Sequence, residues 1–468
     1  MGAGTRGNRR ALAAALCVAL GVVACGATAR PEGRREGALK APRAVVASVG
    51  LHPAERFSRR WGLDATRHEH GDGIAAYARG VAAAQAAGRA GDPPPRRAPI
   101  LFVPPLTGTR LEVRHQRRQG SILCGRNENW KQAWLPSRTQ STLLFDCWSE
   151  DLSLAWNQSN ASYSPALGGV NVRVNETYSA TMSLAAGVPI YAAYSNALET
   201  LGWKVGVDLF SIPYDWRQGP DAYKRPGGPF DRMKAVIEGA GEPVVALSLS
   251  MGGPFFALFC SLQSDEWLKQ HIRSFVSLSG VFSGTANALM DLASGNFDGA
   301  VPTIFQKGFR NLLRSMGCLP WLLPRFDAQP RKTFLRTPTR NYTSADFGDL
   351  LHSVGADTAA AQWSLFADLG GLAIAPRVDT VCVTGYGVPT ADSLTFPSDD
   401  IETAGYTVEY TDGDGTVPAE SLAVCEDWAR VMPQQVTPLR LFNATHAGVL
   451  ARPEAFQALL DAAYYRNL

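Results

Sequence analysis

The sequence has little charge imbalance, little histidine and almost no long apolar runs. Its formal net charge is +3 over 468 residues, and no stretch interleaves basic with aromatic side chains, so nothing argues for nucleic-acid binding. After Ala29 no apolar run is long enough to span a bilayer, so no internal membrane helix is expected. No internal repeat is visible, which sets repeat architectures aside. The short run His68-Glu69-His70 has no further ligands beside it and reads as a solvated polar stretch, so no motif calls for a metal or a cofactor. What is present is a 46% hydrophobic, 19% charged chain with enough apolar material for a sizeable core. At ~150 residues per domain the length suggests roughly three domains, or one α/β unit carrying long insertions.

The N-terminus reads as a targeting segment. Arg6, Arg9 and Arg10 precede the apolar run Ala11 to Ala27, and Ala27-Thr28-Ala29 supplies a small-x-small cleavage site. Residues 1–29 are therefore expected to be a secretory signal, with an uncleaved signal anchor as the alternative. Residues 30–97, rich in Ala, Arg, Gly and Pro, read as a low-complexity extension and linker containing an alanine-rich helix from Ile74 to Gly91. Secretion makes cysteines readable as disulfides. Of eight cysteines, Cys17 and Cys25 lie in the signal and six remain. Asn-x-Ser/Thr sequons at Asn157, Asn160, Asn175, Asn341 and Asn443 fit glycosylation on a secretory route.

The stretch from Val244 to Gly253 organises the rest. An apolar run ends in Ser248-Leu249-Ser250-Met251-Gly252, and an apolar helical stretch, Pro254 to Gln263, follows. Strand, sharp turn and helix with a serine at the apex is the layout of a nucleophile elbow, and its strained turn requires small residues two positions either side. The alternative is a buried strand that ends in two serines. The elbow needs an acid and then a histidine after it in the chain.

Only three histidines follow Ser250. His271 ends the elbow's own helical region, and His352 lies in an irregular stretch. His446 sits in Asn443-Ala444-Thr445-His446-Ala447-Gly448, between the last strand, Val436 to Phe442, and the last helix, Pro453 to Tyr465. That loop is where a catalytic imidazole belongs, at the carboxyl end of a sheet. The acid is expected after a late strand, and Asp412 and Asp414 both qualify in Tyr410-Thr411-Asp412-Gly413-Asp414-Gly415-Thr416-Val417. A calcium loop would place an acidic ligand at Ala423, so that reading fails.

The remaining segments fit an α/β-hydrolase fold, a mainly parallel sheet flanked by helices, over residues 98–468. The first core strand, Ile100 to Val103, leads into Pro104-Pro105-Leu106-Thr107-Gly108. Such a loop supplies one backbone N–H of an oxyanion hole. Proline has no N–H, so Leu106 rather than Pro105 is the candidate donor, beside the amide of Met251. Further strands are expected over Lys204 to Ile212, Ser274 to Leu278, Thr380 to Thr384 and Tyr406 to Tyr410, with a helix from Phe230 to Gly239. The rhythm breaks in two insertions, at about 114–185 and 285–375. Cys124 and Cys147 bracket Trp130 and Trp134 in the first. These residues are expected either to touch an apolar substrate or membrane surface as a lid, or to face the core of a structural loop. The second insertion reads as a cap.

Taken together, the residues resemble the lecithin:cholesterol acyltransferase and lysosomal phospholipase A2 family. The likeness rests on Val103-Pro104-Pro105-Leu106-Thr107-Gly108, Cys124 and Cys147 with Trp148, Pro213-Tyr214-Asp215-Trp216-Arg217, Ser250-Met251-Gly252, Phe275-Val276-Ser277-Leu278, Thr337-Pro338-Thr339, Gly385-Tyr386-Gly387-Val388-Pro389-Thr390, Asp412 to Val417, and His446. The resemblance implies Asp414 as the acid and a Ser250–Asp414–His446 triad. It also implies disulfides Cys124–Cys147, closing a lid and membrane-binding insertion, and Cys382–Cys425, with Cys260 and Cys318 as buried free thiols. The implied activity moves a fatty acyl group from a phospholipid, through an acyl-serine, to a lipid alcohol such as a sterol or to water. Peripheral contact with a membrane or lipid particle would accompany it, in a secreted or lysosome-like setting. Two departures bear on the acyl pocket and the oxyanion loop: Pro105 stands where the family usually has Gly, and Leu249 where it usually has His. A decayed lipid-binding protein, or an esterase acting on soluble esters, is the alternative.

Overall fold

The structure, a computed structural model, describes residues 71–87, 96–116, 119–121, 124–125, 127–137, 139–140, 143–184, 189–295, 303–325, 332–369 and 372–465. The targeting segment, the His68-Glu69-His70 run and most of the expected linker lie outside these residues.

Six parallel strands make the central sheet: β1 (Ile100–Val103), β2 (Leu209–Ser211), β3 (Val244–Leu249), β4 (Ile272–Leu278), β5 (Thr380–Tyr386) and β6 (Val436–Phe442). Their spatial order is β6-β5-β4-β3-β1-β2, and every neighbouring pair is parallel. All residues of β1 and β3 are buried. Continuous apolar runs of this kind are what a sheet covered on both faces requires. β6 is the opposite case. It lies at the sheet edge, is largely exposed, and carries Pro438, whose missing N–H is tolerated where there is no further strand to pair.

Two strand expectations change. The strand read from Lys204 shrinks to Leu209–Ser211, because Asp208 turns back on Lys204, accepting its amide and donating its own to the Lys204 carbonyl at 3.0 Å. The strand Thr407–Thr411 joins no central strand. It pairs antiparallel with Thr390–Thr395 in a separate four-stranded sheet with Leu335–Arg336 and Asn341–Tyr342. Its side chains are largely exposed, a pattern that fits a half-covered antiparallel sheet and not a buried parallel one. The extension also differs from a linker. Helix Gly71–Ala87 puts Ile74 and Ala78, four residues apart on one face, fully into the core, with the Tyr77 ring edge-on to Phe456. The packed body therefore reaches back to at least residue 71, ahead of the expected boundary at 98.

The first insertion forms a three-stranded antiparallel sheet of Lys131–Trp134, Leu111–His115 and Val170–Val174, then helix Phe145–Leu152 and hairpin Leu154–Asn157/Ser162–Pro165. The cap is mostly helical, over Ala286–Ser294, Thr303–Arg314, Phe347–Ser353 and Asp357–Asp368. Both implied disulfides are present, Cys124–Cys147 and Cys382–Cys425, and Cys260 and Cys318 are free and buried. Closing the first loop, 23 residues apart in sequence, is worth about 3 kcal/mol on a chain-entropy account.

Trp134 does not face lipid or solvent. It is 6% exposed, stacks on Trp148 with ring centroids 6.2 Å apart, meets Trp216 edge-on at 5.1 Å, and donates its indole N–H to the Thr107 carbonyl at 2.8 Å. An indole can be buried this fully because its one polar group has found an acceptor. Trp130 is half-buried between the guanidinium groups of Arg114 and Arg173, 4.7 and 4.3 Å from its ring centre. Among the described residues of the insertion, Leu143 is the large apolar side chain left to solvent. Asn157, Asn160, Asn341 and Asn443 are exposed, while Asn175 is half-buried and donates to Glu112.

Candidate active site

β3 ends at Leu249, and Ser250 follows with φ of +58°, a left-handed conformation costly for any residue bearing a side chain. The surroundings hold it there. The Ser250 amide donates to Leu278 at the end of β4 at 3.0 Å, and its carbonyl accepts from Gly253 at 2.9 Å as helix Gly252–Ser261 begins. The small residue at 252 has a steric cause: a Cβ there would lie 2.7 Å from the Val103 carbonyl oxygen and 2.9 Å from that of Pro104. Both atoms are backbone and cannot swing aside. Gly252→Ala is therefore expected to destabilise the fold by about 1–3 kcal/mol, read as a lowered urea midpoint, and to lower activity with it.

β6 runs into the loop that carries His446, which is 2% exposed. Its Nδ1 lies 2.7 Å from Asp414 Oδ2, and its backbone amide donates to the Asp414 carbonyl at 2.7 Å. Asp414 is fully buried. Its Oδ1 accepts the amides of Thr416 at 3.0 Å and Val417 at 2.7 Å. Two amides and an imidazole thus surround a carboxylate that water does not reach, as a buried charge requires. Asp412, equally eligible by sequence, is spent otherwise: its Oδ1 accepts the amides of Gly387 at 2.6 Å and Gly413 at 2.8 Å. The acid loop leaves the small sheet, not the central one. It reaches the central sheet through a bridge from Asp414 to Val388, and Thr390 Oγ1 accepts the Gly415 amide at 2.8 Å. Gly385 on β5 makes the room, since a Cβ there would lie 2.1 Å from the Ala444 oxygen and 3.1 Å from Asp414 Cβ. Ser250, Asp414 and His446 accordingly sit along one edge, at the carboxyl ends of β3, β5 and β6. The other two histidines lie elsewhere. His271 ends the helix that precedes β4, at the opposite edge, and His352 is on the cap beside Asp357.

The loop after β1 is braced by aromatic donors that no local motif announces. Tyr191 donates to Val103 O at 2.8 Å, Tyr214 to Pro104 O at 2.9 Å, Trp134 to Thr107 O at 2.8 Å and Trp216 to Thr109 O at 3.0 Å. Arg217, 2% exposed, grips Asp215 through both carboxylate oxygens and gives a further bond to Leu152 O at 2.8 Å. The Tyr-Asp-Trp-Arg stretch is thus a bracket between this loop and the first insertion. Beside the loop runs a narrow apolar crevice lined by Leu106, Trp134, Trp216, Phe309, Leu313 and Leu319 among others. Among the described residues no helix is long and apolar enough to cross a membrane.

The sequence profile of "Lecithin:cholesterol acyltransferase" matches residues 130–364 and 352–452. The human "Lysosomal phospholipase A and acyltransferase" is 31% identical over 77% of this chain and 89% of its own length. The human "Phosphatidylcholine-sterol acyltransferase" is 28% identical over 78% of this chain and 85% of its own. Among solved structures, a chain of the Tle4–Tli4 complex aligns with 78% of this chain and 97% of its own at 12% identity and a TM-score of 0.44. With a parallel central sheet, two disulfides and a family match over most of its length, the chain belongs to the lecithin:cholesterol acyltransferase family.

Proposed function

We propose that this protein is a serine O-acyltransferase with phospholipase A activity, using Ser250, His446 and Asp414. The observation that carries the reading is the buried His446–Asp414 pair, on the same sheet edge as a serine held at positive φ. His446 takes the Ser250 proton as Oγ attacks a phospholipid ester carbonyl. Asp414 holds the Nδ1–H and stabilises the imidazolium. The Met251 and Leu106 amides, neither bonded to another described residue, receive the oxyanion, and each such donor is worth ~3 kcal/mol of barrier. The proton then passes from His446 to the departing lysophospholipid, leaving an acyl-serine. A lipid alcohol or water, deprotonated by the same imidazole, takes the acyl group and restores Ser250. The named activities of the two human relatives, one a phospholipase A and acyltransferase and one a sterol acyltransferase, support this donor and these acceptors. The secretory signal and lumenal or secreted setting, the glycosylated asparagines, and contact with a lipid surface through the first insertion belong to the same reading.

Product analysis tests it. With acyl-labelled phosphatidylcholine vesicles, label is expected in free fatty acid, and in a new ester once a sterol or long-chain alcohol is added. Label remaining wholly in phosphatidylcholine under both conditions would reject the assignment.

A further inference from the structure

We propose that Trp134 is a positioning residue: its indole N–H holds the Thr107 carbonyl and thereby sets the direction of the Leu106 amide. The inference rests on the reading of Leu106 as an oxyanion donor. Residues 105–108 form one tight turn, closed by the Gly108 amide donating to the Pro105 carbonyl at 3.0 Å. Within it Thr107 has φ of +61°, an unfavourable conformation for a β-branched residue, which must be held from outside. The turn is packed on itself so closely that a Cβ on Gly108 would meet the Pro105 ring at 2.5 Å. A turn this tight moves as a unit, so gripping one carbonyl orients all of it. The buried Trp134 bond at 2.8 Å is that grip.

Trp134 is itself anchored away from the site. Its ring stacks on Trp148, next to Cys147 on helix Phe145–Leu152, and Trp148 donates to the Ala133 carbonyl at 2.8 Å. The disulfide-closed insertion thus carries the donor, while the core carries the loop it holds. With 6% exposure the side chain offers almost nothing to a lipid surface, so its effect should fall on turnover rather than on binding.

The test compares Trp134→Phe with Trp203→Phe in the full chain. Both keep a ring and lose one buried indole–carbonyl bond, that of Trp203 being to Ala98 at 3.0 Å, but only the first bond reaches the oxyanion loop. Substrates are p-nitrophenyl butyrate, which needs no surface, and phosphatidylcholine vesicles. Trp134→Phe is expected to lower kcat about tenfold on both, with KM and vesicle sedimentation unchanged, while Trp203→Phe stays within about twofold of the parent, since small displacements of positioning groups act on turnover. Unchanged kcat in Trp134→Phe, equal losses in both variants, or a loss confined to vesicle binding would overturn the proposal. Should Trp134→Phe lack a cooperative melt, Trp134→Met fills the site with an adaptable apolar side chain that also lacks the N–H, and is read by the same criteria. Ser250→Ala, run alongside, separates the two levels. If it stays active, the reading of the site fails; if it is dead while Trp134→Phe is unaffected, only the positioning role fails.

Discussion

Replacing Ser250 by alanine is expected to lower kcat for phosphatidylcholine deacylation by about 10⁶-fold, leaving only what binding and the oxyanion donors contribute over water. Folding should survive. The Ser250 side chain is not what holds the turn. The turn is held by the Ser250 amide on Leu278 and the Gly253 amide on the Ser250 carbonyl, and alanine keeps both bonds. Alanine also removes a hydroxyl without adding volume. The measurement is therefore clean: steady-state product formation on vesicles, with a fluorophosphonate probe to confirm loss of the nucleophile and a thermal melt to confirm the fold. Substantial remaining activity in a folded, unlabelled variant would mean that another group attacks the ester.

Asp414→Asn is expected to cost about 10⁴-fold in kcat, with KM little changed, because it inverts the imidazole. The argument follows from the bonds. Asp414 Oδ1 accepts two backbone amides, from Thr416 and Val417. An asparagine must keep its oxygen there, since an NH2 group facing two N–H donors would leave all of them unpaired in a buried site. Its NH2 group then faces His446 Nδ1 in place of Oδ2. Nδ1 becomes the acceptor, the proton moves to Nε2, and the imidazole can no longer take a proton from Ser250. Asp412→Asn provides the contrast. Asp412 uses one oxygen on two amides and makes no bond to the imidazole, so that variant should keep kcat within about tenfold while losing some stability. If the two variants fall equally, the assignment of the acid to Asp414 is wrong.

Much of the site was legible because its demands are local. The small residue at 252, the apolar run into Ser250 and the helix after it all lie within about twenty positions, and each follows from the geometry of one turn. His446 could be chosen over His271 and His352 because chain order and loop context separate them. Between Asp412 and Asp414 the residues themselves were silent. Both are acids in one glycine-rich loop, and only the resemblance favoured the second. What separates them is which one turns toward Gly387 and which toward His446, 32 positions away. The strand before that loop shows the same limit. Thr407–Thr411 has strand composition wherever it pairs, but its exposed pattern places it in the small sheet, and the acid meets the central edge through Val388 and the His446 loop.

The tryptophans mark the boundary most clearly. Composition cannot say whether an indole in a cysteine-bracketed loop faces out to lipid or in to the core, because both surroundings are apolar. The answer depends on an acceptor for its N–H, and for Trp134 that acceptor is a carbonyl 27 residues earlier in the chain. The sequence by itself determined the order of the parts: a parallel sheet, a serine at a strained turn, an acid and then a histidine at later loops, and two insertions. Only the tertiary structure decided which carboxylate meets the imidazole and which aromatic N–H groups hold the loop after β1. Those choices are made by hydrogen bonds between residues distant in sequence, and periodicity and local propensity carry no record of them.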